Sequence, residues 1–146
     1  MTTRAEIIAE ARTWIGTRWH HQASRRGVGC DCIGLISGIA RKLQIDGATE
    51  FDNCNETRGY GRSPDVVMLL TAADRFMNPI GVSLAVAGDV LLMRIASDPQ
   101  HFALLVQDEP PRIIHAYAQA RRVTEHGLDH TWTSRIVRAY RFRGID

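Results

Sequence analysis

The sequence predicts an α+β domain in which N-terminal helices pack on a C-terminal antiparallel β-sheet. Three observations predict it. Apolar residues recur at helical spacing through the first half of the chain. From Asp89 onward, short β-rich runs alternate with turn signals. The gaps between those runs are short, which favours antiparallel hairpins, and helices first with sheet second is an α+β arrangement.

Residues 3–14 read as the first helix, with Ile7, Ile8, Ala11 and Trp14 on one face and Arg4, Glu6 and Arg12 mostly on the other. Gly16-Thr17 stops it. Arg18 to Arg26 is polar, aromatic and aperiodic, hence a loop. A second helix runs from about Asp31 to Leu43, carrying Ile33, Ile36, Ile39, Ala40 and Leu43 at helical spacing. A long irregular segment with Gly47, Asp52-Asn53 and Gly59-Tyr60-Gly61 follows. Ser63-Pro64 resembles an N-cap with proline at the first helical position. The third helix then covers about 64–77, with Val67, Leu69, Leu70, Ala73 and Phe76 inward, and Asn78-Pro79-Ile80-Gly81 ends it. Strands are expected at Asp89–Ile95, His101–Val106, Arg112–Tyr117, Arg121–Glu125 and Ile136–Phe142. Loops at Ser97-Asp98-Pro99, Asp108-Glu109-Pro110-Pro111 and His126-Gly127 separate them.

The totals bound the partners. The chain of 146 residues is long enough for one substantial core, and 1–146 is read as a single domain. A net charge of +2 is too small to argue for nucleic acid and is compatible with an anionic polymer. No apolar run approaches the roughly 18 residues that span a bilayer, so no membrane insertion is expected. Met1 to Ile8 lacks the basic and apolar regions of a secretory signal. Synthesis in the cytoplasm is the expectation, with some route other than general secretion if the protein acts outside. Three cysteines are an odd count and imply no closed disulfide framework.

The chemistry concentrates around Cys32. Gly27 and Gly29 give a mobile approach, Asp31 sits where an N-cap belongs, and Cys32 falls in the first turn of the second helix. The unpaired amides and positive dipole end of that turn favour an anion. A thiol there ionises more easily, and the thiolate is the nucleophile. Gly34 costs roughly 1 kcal/mol of helix propensity relative to alanine, so something must approach the helix closely at that point. The plainer alternative is a small buried residue on a core helix.

A nucleophilic cysteine needs a base from elsewhere in the chain. His101 opens a strand and His115 lies in the next. With the turn between Asp108 and Pro111, His115 faces a residue near 103–105, and His101 and His115 become diagonal neighbours on one face. His101 would take the proton from Cys32, and His115 would fix the tautomer of His101. Each histidine taken alone reads first as a half-buried strand residue; the diagonal pair together with a helix-start cysteine is what points to chemistry. Cys30, Cys32, His101 and His115 are also ligand types that tetrahedral zinc prefers. The C-x-C spacing, however, misses the usual separation of two to four residues, and no metal or other cofactor is expected. Cys54 sits in a polar loop without a recognisable partner.

These residues resemble the NlpC-like cysteine peptidases of bacterial cell walls, which have a papain-like fold. The matching stretches are Trp14-Ile15-Gly16-Thr17, Gly29-x-Asp31-Cys32-x-Gly34-Leu35, Gly88-Asp89-Val90-Leu91-Leu92, His101-Phe102-Ala103-Leu104-Leu105-Val106 and Ile113-Ile114-His115-Ala116, in the family's order. His20-His21-Gln22-Ala23-Ser24 and Ala139-Tyr140-Arg141-Phe142 further resemble the subgroup carried by tailed phages and gene transfer agents. The resemblance implies Cys32 as nucleophile, His101 as base and His115 as third member. It implies hydrolysis of an amide in peptidoglycan stem peptides, typically between D-glutamate and a diamino acid. It places an oxyanion site near the Cys32 amide, with Trp19, His20 and Asp31 as substrate or oxyanion contacts. It also implies delivery on a phage-tail-like particle to the cell wall or periplasm, with a tail hub or baseplate protein as partner. Two positions depart from the family pattern. Ile33 stands where serine is usual, and Arg18-Trp19 stands where Pro-Tyr is usual. An indole donates one hydrogen bond and accepts none. The alternative is a structural or docking piece of a tail tip whose peptidase site is idle.

Overall fold

The computed structural model describes residues 1–48, 66–95 and 99–145. Ser63-Pro64, Cys54, the irregular segment from Thr49 to Gly61, and Ser97-Asp98 lie outside them. Helix α1 spans Arg4–Thr13 and opens on a reciprocal cap in which the Thr3 hydroxyl accepts from the Glu6 amide and the Glu6 carboxylate accepts from the Thr3 amide. Ile7, Ala11 and Trp14 are buried, as the spacing predicts. Gly16 takes a positive φ of 90° just after the helix, where the chain turns back. The loop after it is less irregular than expected. Ser24–Arg25 (β1) and Gly29–Cys30 (β2) form a small antiparallel ribbon, and Trp19 bridges to Cys30.

Helix α2, Cys32–Lys42, is the hub, with every residue from Cys32 to Ala40 buried. A cysteine-led helix can be buried all round only if its neighbours are small or its own residues are. Gly38 lets the Trp14 indole approach the helix closely, since a Cβ there would stand 2.4 Å from the ring. Gly34 is the close approach that its propensity cost predicts: an added Cβ would lie 1.9 Å from the Ala23 carbonyl oxygen.

Helix α3 is Val66–Phe76. Leu69, Ala72, Ala73 and Phe76 form its buried stripe, whereas Val67, expected inward, is 71% exposed. At 100° per residue Val67 lies some 200° from Leu69, on the opposite face. Instead of ending in a loop, the chain continues straight into strand β3, Met77–Ile80. Pro79 is tolerated there because β3 is the sheet edge.

The sheet is antiparallel throughout, in the order β3-β8-β4-β5-β6-β7, with β4 Val90–Arg94, β5 Pro99–Asp108, β6 Pro111–Tyr117, β7 Arg122–Gly127 and β8 Ile136–Phe142. The α+β arrangement read from the sequence is thus the one found. The main core lies between one face of the sheet and the three helices, and a smaller one lies on the other face around Leu91, Met93, Ala103, Leu105 and Ile113. A short helix α4, His130–Thr133, drops Trp132 onto that second face. Among the described residues no helix is long and apolar enough to cross a membrane.

Asp89, in the stretch between helices and sheet, ties the two layers. It is fully buried and accepts from Arg4 of α1 at 3.0 Å, from Arg141 of β8 at 3.0 and 2.9 Å, and from the Val86 amide at 2.9 Å. Burial opposes its ionisation, but the hydrogen bonds from Arg141, Val86 and Arg4 outweigh that and hold its pKa below the usual carboxylate value.

Candidate active site

Asp31 builds the start of α2. Its Oδ1 accepts from the Gly34 amide at 2.8 Å, which caps the helix, and its Oδ2 accepts from the Gln22 amide at 2.8 Å, which straps the preceding loop to the helix. Through these two backbone contacts Asp31 shapes the site. The same loop is fixed through β2: the Cys30 amide donates to the Arg18 carbonyl and the His20 amide to the Cys30 carbonyl. Trp19 and His20 therefore stand beside the segment that leads into Cys32, Trp19 half-buried against the main core and His20 exposed.

The Cys32 thiol is 7% exposed. Burial, then the negative charge of Asp31, push its pKa up to about 12, while backbone amides of Phe102, Ile33 and Cys32 itself hydrogen-bond the sulfur and pull the other way. The easily ionised thiol expected from the helix start is thus reversed, because desolvation outweighs the dipole and amides of one helical turn. Cys30 is fully buried and is pushed up to about 12 as well, by burial first. Both cysteines are free thiols.

The amide that meets the sulfur belongs to Phe102, next to His101. The β5–β6 ladder runs from Asp108↔Pro111 to Leu104↔Ile114, with one irregularity between Leu105 and Gln107. His115, one residue past Ile114, comes level with Ala103 and diagonal to His101, in the register read from the sequence. The two rings meet directly, His101 Nε2 to His115 Nδ1 at 2.7 Å, with ring centroids 5.0 Å apart. Burial, then Arg135, lower the His101 pKa to about 4. Burial, then His101 and His126, lower that of His115 to about 2. Among the described residues no hydrogen bond joins Cys32 to His101, and no group of three or more His, Cys, Asp or Glu side chains is arranged to hold a metal ion. Burial thus favours the neutral form of the Cys32 thiol and of both imidazoles.

A third histidine extends the pair. His115 Nε2 lies 2.8 Å from His126 Nε2, and His126 Nδ1 lies 2.8 Å from the Gly127 carbonyl oxygen. Tyr117 stacks on His115 at 5.1 Å and 10°, and Trp132 meets it edge-on at 5.0 Å and 88°. Arg135 covers the Trp132 ring at 4.4 Å. The sequence expectation for this strand stops at Glu125 and so leaves His126 out. In the structure β7 runs on to Gly127, with Ile113 opposite His126. The diagonal rule that joins His101 to His115 also joins His115 to His126, because β7 extends two residues past Glu125.

Neutral burial of two histidines carries a stability consequence. Unfolded, each binds a proton below about pH 6.5; folded, His101 and His115 refuse it down to about 4 and 2. Their contribution is present above pH 6.5 and is lost as pH falls, at about 1.4 kcal/mol per pH unit for each histidine. Urea melts between pH 6.5 and 4.5 are expected to show this slope, and His115→Gln is expected to flatten it by about half.

Solved structures share this fold. The NlpC/p60 domain of the peptidoglycan hydrolase SagA superposes with a TM-score of 0.62 at 25% identity, over 95% of this chain and 98% of that one. A protein from Staphylococcus aureus described as similar to lipoprotein, of the NLP/P60 family, gives 0.63 at 19% identity, over 95% of this chain and 41% of that one. An NlpC/P60 family protein from Bacillus cereus gives 0.66 at 16% identity, over 95% of this chain and 40% of that one. The chain thus spans less than half the length of the latter two proteins. No family model and no curated protein matches the chain.

Proposed function

We propose that the protein is a peptidoglycan-degrading cysteine endopeptidase with Cys32 as nucleophile, His101 as base and His115 as the residue that orients His101. The observation that carries this is the histidine pair on β5 and β6, His101 Nε2 to His115 Nδ1 at 2.7 Å, with the backbone amide of the adjacent Phe102 favouring the Cys32 thiolate. Likeness in fold to the SagA domain over nearly the full length of both chains adds the substrate class.

Because thiol and imidazole rest neutral, proton transfer accompanies attack rather than preceding it. The sulfur bonds to the substrate carbonyl carbon as its proton passes to His101. The oxyanion is received at the amide-rich start of α2. The tetrahedral species collapses to a thioester, and His101 returns the proton to the departing amine. Water, deprotonated by His101, then attacks the thioester, releasing the new carboxylate and the Cys32 thiol. Trp19 and His20 stand at the side of this site, while Asp31 shapes it through the backbone. The bond between D-glutamate and the diamino acid, the single-domain organisation of 1–146, and carriage to the cell wall on a phage-tail-like or gene transfer agent particle through a hub or baseplate protein are the finer parts of the same proposal. They rest on the resemblance of the motifs.

Burial of the Cys32 thiol favours a second reading, a docking domain with an idle peptidase site. Digestion of defined stem peptides, with products weighed by mass spectrometry, separates the two. The peptidase should release fragments ending in D-glutamate. An intact mixture after prolonged incubation would leave the docking role.

A further inference from the structure

We propose that His126 is a positioning residue that, with the Gly127 carbonyl, sets the tautomers of His115 and His101 and so leaves Nδ1 of His101 as the unprotonated, basic nitrogen. This rests on the reading of His101 as the base. A carbonyl oxygen only accepts, so His126 Nδ1, 2.8 Å away, carries the proton. In neutral His126 the other nitrogen, Nε2, is then an acceptor, and the contact at 2.8 Å requires the proton on His115 Nε2. That leaves His115 Nδ1 as an acceptor, and the contact at 2.7 Å requires the proton on His101 Nε2. Every step follows from one fixed carbonyl, and the chain has no other neutral solution. With the opposite polarity, His101 would hold its proton on Nδ1 and could not take one from a thiol.

The surroundings hold the relay in line. His126 sits half-buried on β7 with Trp132 tilted against it at 5.0 Å and 50°, and the same indole braces His115. Burial keeps His101 and His115 in the neutral forms that the chain requires. Without an acceptor at His126, His115 can adopt either tautomer, and one of the two gives His101 the wrong one.

The test compares the full chain with His126→Leu, which removes the acceptor, and His126→Gln, whose carboxamide oxygen can replace it. Histidine-labelled protein gives the His101 tautomer from its ring 15N shifts, and kinetics on a stem peptide give kcat and KM. The wild type and His126→Gln should show His101 protonated on Nε2. His126→Leu should shift signal toward the Nδ1 form and lose roughly 10- to 100-fold in kcat, with KM little changed. The same His101 spectrum in His126→Leu, or equal losses of kcat in the two variants, would overturn the proposal. If the wild type cuts no stem peptide, the hydrolase reading fails by itself and the spectra still decide the tautomers.

Discussion

Gly34→Ala is expected to dislodge the loop beside Cys32 and destabilise the fold by about 2–3 kcal/mol, net of the roughly 1 kcal/mol that alanine gains in a helix. The new methyl would lie 1.9 Å from the Ala23 carbonyl oxygen and 2.9 Å from its carbon. The obstacle is backbone, so no side-chain rotation relieves it. The loop must withdraw, and that strains the hydrogen bonds from the Asp31 amide to the Ala23 carbonyl at 3.2 Å and from the Gln22 amide to the Asp31 carboxylate at 2.8 Å. Trp19 and His20 move with it. A fall in melting temperature of about 5–10 °C is expected, with loss of activity even at temperatures where the variant is folded. An unchanged melting temperature would show that the loop does not rest on α2.

Asp89→Asn is expected to cost about 3 kcal/mol. The substitution keeps the size of the side chain and removes the charge that two guanidinium groups share. Arg4 and Arg141 are about a quarter exposed, so water recovers part of their loss, but Asp89 itself is fully buried. An asparagine amide turned toward either arginine would set donor against donor. The midpoint of urea unfolding should drop with little change in slope. The loss should be present above pH 5 and fade as the wild-type carboxylate is itself protonated, because its folded pKa lies below the ordinary value. A variant as stable as the wild type would reduce the ion-pair cluster to a surface-like contribution.

How much of this was legible in the sequence depends on the range of the cause. Local causes read well. The α2 start follows from Asp31 and the apolar spacing after it, and Gly34 announces a close approach by its cost. The pairing of His101 with His115 was readable because one tight turn between Asp108 and Pro111 fixes the register of both strands. Non-local causes did not read. Pro79 looked like a stop because nothing in the chain says that β3 will be an edge strand, where proline is tolerated. The apolarity of Val67 suggests an inward position, but the stripe through Leu69, Ala73 and Phe76 leaves it outside. His126-Gly127 resembles a turn in the sequence, and only the partner strand shows that β7 continues. The ionisation of Cys32 does not follow from the sequence for the same reason: the helix start is local, whereas the burial that outweighs it comes from the rest of the core.

The role of Cys32 is tested most directly by rapid mixing of the protein with a defined stem peptide, followed by intact mass and peptide mapping. A transient acyl adduct on Cys32 is expected in the wild type. Cys32→Ala should remain folded, form no adduct and release no fragment. Fragment release by Cys32→Ala at the wild-type rate would contradict the account and remove the thiol from the chemistry.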